Sequence, residues 1–323
     1  MTKKGDLMDI NHPIELYDAL IIGGGPAGIT AAVYLARACR SVVVFDCPRP
    51  GRSDWGQTNH NYLGFPKGIS IDDLTARGRQ QAEHFSAHFH EEEVASLTEE
   101  DGVFAACTPD GTLHGRAVIL ATGVNDRWVQ FPGYEEYIGR SMHWCIVCDG
   151  YEMQGQRVLV AGNDESAAEL AMQLQRFTEQ VTMVTNSGAL GLPQATVRAL
   201  DAQGIRLVVG RIVEARAKKR GYFEAVLLNG GGEIALDHLF SAQSADPNTD
   251  LARSLGVELT STGYIKVDTE TKTSVPGVYA AGEVTRLFSH QVVTAAHEGA
   301  TAATALDHGL YQQDQAALRA GRT

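Results

Sequence analysis

Positive charge is scarce in this chain: 27 lysines and arginines stand against 39 aspartates and glutamates, a formal net charge of −12 over 323 residues. Proteins that grip a phosphate backbone concentrate Lys and Arg, so this balance argues against a nucleic-acid partner. The one basic run, Lys218-Lys219-Arg220, is short and stops at Gly221, which reads as a solvated turn. Cysteine is also rare. Five residues, an odd number, do not make an extracellular disulfide framework. Cys39, Cys47 and Cys107 read as packing residues, Cys39 within a helical apolar pattern and the other two near strand ends. No run of about eighteen apolar residues is present, so no membrane span is expected. Residues 1–16 are polar and lack the apolar stretch of a secretory leader. These absences point to the cytoplasm. What is plentiful is apolar content, 44% of the chain, enough to fill the cores of the two domains expected at this length.

The apolar run Tyr17-Asp18-Ala19-Leu20-Ile21-Ile22 predicts a buried parallel strand. It leads into Gly23-Gly24-Gly25-Pro26-Ala27-Gly28, an Ala-rich helix from Ile29 to about Arg40, a second strand over 41–45, and Asp46. That order of strand, glycine turn, helix, strand and acid is the context in which G-x-G-x-x-G signals a dinucleotide site. Gly23 makes the tight turn, Gly25 lets a pyrophosphate approach, and Gly28 lets helix and strand pack. Asp46 is placed for an adenosine ribose. Near the far end, 273–280 predicts another strand, entering Ala281-Gly282-Glu283. A small-residue helix is expected from Gln291 to Leu306, carrying Glu298-Gly299-Ala300.

Between these lies Cys145-Ile146-Val147-Cys148-Asp149-Gly150. Two thiols two residues apart at a helix start can open and close a disulfide, with the helix dipole favouring the thiolate. Zinc competes for any such pair. No second Cys-x-x-Cys exists, however, and His143 is too close in sequence to complete a usual site, so no metal is expected. A purely structural disulfide does not suit a cytoplasmic chain. His143 and Trp144 read as packing or solvent contacts, and Asp149, read alone, as a helix cap.

Gly23, Gly25 and Gly28, then Ala121-Thr122-Gly123, the Cys145/Cys148 pair with Asp149, and Gly277 to Glu283 resemble the low-molecular-weight thioredoxin reductase family, in its order and approximate spacing over almost the whole chain. The resemblance implies an α/β protein of two Rossmann-like, three-layer ββα nucleotide-binding domains, the second inserted into the first. An FAD domain would occupy 1–123 and 246–323, the latter with a C-terminal tail, and a pyridine-nucleotide-type domain carrying the cysteines would occupy 124–245. By the same resemblance Gly23, Gly25, Gly28 and Asp46 would hold the ADP half of FAD, Gly282 and Glu283 the pyrophosphate–ribitol region, and Gln291 and Asn61 the flavin. Glu283 stands where the family usually has Asp. Cys148 would face the flavin, Cys145 would exchange with an external dithiol or disulfide, and Asp149 would manage the thiol proton. The substrate would be a small molecule or a thioredoxin-like protein, and the assembly a homodimer.

A second nucleotide fold is predicted from the strand Arg157 to Ala161 and the helix Ser166 to Phe177, but its loop reads Gly162-Asn163-Asp164-Glu165-Ser166-Ala167. Gly162 and Ala167 keep the register of G-x-G-x-x-A, while Asp164 replaces the second glycine and two carboxylates would repel a pyrophosphate. After the next strand, Thr185-Asn186-Ser187-Gly188 supplies neither the acid that NAD wants nor the arginine that NADP wants. Ser244 stands where the family tends to have glycine.

The expected function is therefore an FAD-dependent dithiol/disulfide oxidoreductase of the thioredoxin-reductase-like class that does not use NADPH, with a second FAD in the vacated site as an extension of that reading. Two alternatives stay open. One is an NADPH- or ferredoxin-dependent thioredoxin reductase, with NADPH held by backbone contacts and an arginine such as Arg198. The other is a flavin redox sensor without turnover. Residues beyond Leu310 read as a short helix or a frayed tail.

Overall fold

The computed structural model describes residues 16–47, 51–52, 55–286 and 288–320; the polar leader at 1–15 lies outside the described residues. The chain divides into two compact units. The first takes Met1–Arg49, Thr75–Gly123 and Pro247–Thr323; the second takes Pro50–Leu74 and Val124–Asp246. The helices, in chain order, are α1 (Pro26–Arg37), α2 (Ile71–His84), α3 (Ile146–Asp149), α4 (Glu165–Leu174), α5 (Gln194–Ala202), α6 (Asp250–Ser254) and α7 (Val292–Ala320).

In the first unit, five parallel strands lie in the order Val278–Ala280, Val118–Leu120, Ala19–Ile22, Val42–Phe45, His88–His90. The strands are apolar throughout because both faces are covered. Ala19, Ile21, Val44 and Ile119 point into a core with α1 and α7. Leu20, Ile22, Val43, Phe45 and Leu120 point the other way, onto Leu97, Phe104 and Ala106 of an antiparallel meander over Ser96–Glu100, Val103–Thr108 and Gly111–Gly115. The period-two alternation thus feeds two separate cores, giving the layers helix, parallel sheet and meander. Gly299 permits the α1–α7 contact, since a Cβ there would lie 2.1 Å from the Ala27 carbonyl oxygen.

The second unit repeats this plan. Its parallel strands run in the order Met142–His143, His238–Ser241, Val158–Ala161, Val181–Val184, Arg206–Val208. Val158, Val160, Met183 and Phe240 pack on α4 and α5, while Leu159, Ala161 and Leu239 pack on the hairpins of Ile212–Lys219, Tyr222–Leu228 and Glu233–Ala235. The α/β class with two Rossmann-like layered folds is as the sequence predicts.

Four local expectations change. Only Val278–Ala280 of 273–280 is a strand, because Pro276-Gly277 interrupts the run and Gly277 takes a φ of +79°. Cys39 is not a packing residue. It is exposed, with a φ of +59°, in the closing turn of α1, where Arg40 N–H donates to the Leu35 carbonyl at 3.1 Å. Lys218 and Lys219 lie in a strand, and only Arg220-Gly221 turns. Residues 311–320 are neither a separate short helix nor a tail, since α7 continues unbroken to Ala320.

That extension of α7 is tied down by charge. Asp314 pairs with Arg40 at 3.1 Å and with Arg116, while Arg40 also reaches Asp307 at 2.7 Å and Arg116 reaches Asp18 at 3.0 Å. The two guanidiniums hold the Asp314 carboxyl below the usual carboxylate range, Arg116 first. Asp314 is partly exposed, so solvent screens the pairs. Asp314→Ala is expected to cost only about 1 kcal/mol by thermal unfolding, with the loss shrinking in high salt. An unchanged melting temperature at low salt would show that the clamp is idle.

Candidate active site

Cys145 and Cys148 form a disulfide across the one-turn helix α3, with their Cα atoms 5.3 Å apart. Cys145 is the N-cap, and its sulfur accepts the Cys148 N–H at 3.1 Å. At four residues α3 is too short for the macrodipole expected from the sequence. This hydrogen bond stabilises negative charge on the Cys145 sulfur when the disulfide opens. Among the described residues the one group of three potential metal-ligating side chains is His90, Glu92 and Asp110, which lies in the first unit and includes neither cysteine. Two apolar side chains near the disulfide are exposed, Val147 at 70% and Tyr151 at 73%. Trp144 packs edge-on against Trp128, with ring centroids 5.3 Å apart, and Trp128 against Trp55 at 6.2 Å; the Arg52 guanidinium lies over the Trp144 ring. Trp144 is thus fixed beside Cys145 by packing, as its sequence reading holds.

Asp149 stands at the N-cap position of the 3-10 turn that follows α3, but its side chain makes no cap hydrogen bond there. Its carboxylate instead stands 3.4 Å from Nδ1 of His143, a buried residue, and Nε2 of His143 lies 3.0 Å from Nδ1 of His238. Burial, and next the neighbouring His143, push the His238 imidazole down to about 4, so it is neutral at neutral pH.

In the first unit the FAD-type residues converge. A Cβ on Gly23 would lie 2.2 Å from the Ala121 carbonyl oxygen, and one on Gly28 would lie 1.9 Å from that of Gly23, so both positions require glycine for close approach. Gly25 has nothing within 4 Å of such a position. It is the N-cap of α1, without a side-chain cap bond and without an acid in the first turn. The Asp46 carboxyl lies against Gly24, and Gly282 lies against Ala27 of α1. Glu283 begins a 3-10 turn, and Gln291 immediately precedes α7. A bare helix start, open space at the second glycine and an acid at the next strand end fit the ADP half of FAD. Asn61 is not part of the first unit. It belongs to the second unit, where its side-chain amide lies 3.4 Å from the Val147 carbonyl.

The equivalent loop of the second unit is built differently. Gly162 and Ala167 do meet, a Cβ on Gly162 lying 2.5 Å from that of Ala167. Asp164, however, is the N-cap of α4, and its Oδ1 accepts the Ala167 N–H at 2.9 Å. Glu165 adds a carboxylate in the first turn and accepts from Thr196 at 3.3 Å. Asn163 holds the loop to 189–191, accepting from Gly191 N–H at 2.8 Å and donating to the Ala189 carbonyl at 3.1 Å. Thr185 is buried and accepts from Gly210 N–H at 3.2 Å, while Asn186 accepts from Ile212 N–H at 3.0 Å. Ser244 holds a left-handed φ of +64°, the conformation that glycine adopts freely.

Sequence reasoning misses two features. The His143–His238 pair joins residues 95 apart, with no local motif to mark it. Buried Glu298 accepts from Gly282 N–H at 2.7 Å and from the Thr285 hydroxyl at 3.0 Å, and it pairs with Arg286. A single acid among the small residues of 292–306 is the signal that could have found it.

Residues 17–309 match the pyridine nucleotide-disulphide oxidoreductase family. The thioredoxin reductase of Treponema pallidum (strain Nichols) is 34% identical over 296 residues, which is 90% of this chain and 95% of that one. The crystal structure of HlmI aligns with a TM-score of 0.88 and 30% identity, covering 97% of this chain and 99% of that one. Thioredoxin reductase from Streptococcus pyogenes MGAS5005 aligns at 0.85 with 30% identity, covering 92% and 99%.

Proposed function

The chain belongs to the pyridine nucleotide-disulphide oxidoreductase family, and on that premise we propose that it is an FAD-dependent dithiol/disulfide oxidoreductase working through Cys145 and Cys148 without NADPH. The observation that carries this reading is the contrast between two helix starts. At α1 no side chain caps the helix start and the first turn holds no acid, which suits a pyrophosphate. At α4 the chain's own Asp164 already occupies the Ala167 amide, and Glu165 adds a second negative charge. An incoming pyrophosphate would have to displace a formed cap and approach two like charges. The same cap weighs against a second FAD anchored there, so one flavin per chain is proposed.

FAD, when bound by Gly23, Gly25, Gly28, Asp46, Gly282, Glu283 and Gln291, supplies a two-electron partner for the cysteine pair. The chain's own part is thiol–disulfide exchange. A substrate thiolate attacks the Cys145 sulfur, the S–S bond opens, and Cys148 leaves and takes a proton from Asp149. The second substrate thiol then displaces Cys145, so the substrate becomes a disulfide and the protein a dithiol. The hydrogen bond from Cys148 N–H to the Cys145 sulfur assists that departure. Exposed Val147 and Tyr151 suit an apolar dithiol, small or borne on a protein.

Anaerobic titration tests the proposal. Dithiothreitol is expected to bleach the flavin at stoichiometric amounts, while NADPH leaves it oxidised. Rapid bleaching by one equivalent of NADPH overturns the nicotinamide-independent reading. Flavin released by denaturation should approach one per chain, and a value near two overturns the single-site reading.

A further inference from the structure

We propose that His143 and His238 form a two-imidazole proton relay that connects Asp149 to solvent. The inference rests on Asp149 being the acid/base partner of Cys148. Strand Met142–His143 lies beside strand His238–Ser241, His143 pairing in register with Phe240, and this places the two imidazoles side by side. His143 is buried, with its Nδ1 3.4 Å from the Asp149 carboxylate and its Nε2 3.0 Å from His238 Nδ1. The first distance is longer than a formed hydrogen bond, as is usual for a catalytic contact before substrate binds. His238 is only partly buried and forms the outer end.

One set of tautomers satisfies the whole chain. With Asp149 ionised, His143 carries its proton on Nδ1 and accepts at Nε2, so His238 donates from Nδ1. A proton arriving at the outer nitrogen of His238 shifts its Nδ1 proton to His143, and the Nδ1 proton of His143 moves to Asp149. The imidazoles end in the opposite tautomers and Asp149 is reloaded. In the exchange step Asp149 gives one proton to the departing Cys148, and the relay returns one from solvent. When the dithiol is oxidised the proton leaves by the same route in reverse.

The groups facing this pair favour transfer over stored charge. Phe240 lies against the His143 ring, with centroids 5.4 Å apart. Asp237, next to His238, is bound by Arg157 at 3.0 Å and Lys218 at 3.2 Å, which hold its carboxyl well below the usual range and make it no rival proton donor. The lowered basicity of His238 lets it pass a proton without retaining it.

The test is rapid quenching of dithiothreitol reduction of the holoenzyme, with alkylation and mass measurement counting opened Cys145–Cys148 from pH 5 to 9. Each variant is compared with the parent at the same pH. Asp149→Asn is expected to slow opening about a hundredfold and His143→Gln about tenfold, within the range of positioned acid–base catalysis. The double variant should be no slower than Asp149→Asn alone. His143→Phe keeps the packing on Phe240 without a titratable ring, and should match His143→Gln. Imidazole NMR should show His238 titrating lower once Asp149 is Asn, since the carboxylate raises it. Parental rates in both His143 variants, or losses that multiply with Asp149→Asn, overturn the relay. A parental rate in Asp149→Asn overturns the acid/base reading on which it rests.

Discussion

Cys148→Ser is expected to abolish turnover, lowering dithiol oxidation by about a thousandfold or more, because removing a group that acts as one unit with its partner removes the whole effect. A lone Cys145 cannot be opened by a dithiol, but its thiolate can still attack a disulfide. Offered oxidised glutathione, the variant should therefore keep one half as a mixed disulfide on Cys145 and release the other as thiol, an added mass that dithiothreitol removes. Cys145→Ser should be equally inactive and carry no such adduct at neutral pH, since Cys145 is the more exchange-prone sulfur by virtue of the Cys148 N–H bond at 3.1 Å. Multiple turnovers by either variant at the parental rate would sink the assignment. So would the opposite pattern of adducts for the order of the two cysteines. A sensor without turnover is separated by the parent itself, which would then show one reduction per chain and stop.

Glu298→Ala is the second large effect, expected in stability and in flavin retention rather than in chemistry. The carboxylate is 3% exposed and joins Gly282 N–H, the Thr285 hydroxyl and Arg286. Removing it strands a buried backbone donor and one member of a charge pair, at about 3 kcal/mol. It also frees the Gly282-Glu283 turn, which in our reading faces the FAD pyrophosphate and ribitol. Purified Glu298→Ala should lose most of its 450 nm absorbance on desalting, and Glu298→Gln only part, since the amide oxygen can still accept from Gly282. Full flavin retention with an unchanged melting curve would show that the turn holds its shape alone.

The parts legible in the sequence are those whose physics is local. The strand–glycine–helix run to Gly28 places the bare helix start because the motif is contiguous and Gly28 is required by the Gly23 carbonyl five residues away, although what requires Gly23 is Ala121, far along the chain. Asp164 is equally legible, since a side chain in place of glycine forbids close approach whatever the rest of the chain does. Its cap bond to Ala167 could be suspected from the same four residues. By contrast, the length of α7 is not legible. Gly309 sits where a helix could end, and what carries the helix onward is Asp314 meeting Arg40 and Arg116, residues 274 and 198 positions away. The His143–His238 pair is hidden for the same reason, since adjacent strands in a parallel sheet need not be adjacent in sequence. The break at Pro276-Gly277 was written in the sequence, but the apolar run around it hid the signal.

The self-capped start of α4 also bears on how this chain can change. A helix that waits for a ligand gains its stabilisation only when the ligand arrives, whereas α4 has that stabilisation built in. A change such as Asp164→Gly gives up the cap, about 1 kcal/mol at most, and leaves the Glu165 carboxylate in the first turn. In our reading the bond between Asp164 and Ala167 therefore acts as a ratchet against nucleotide binding at this helix start.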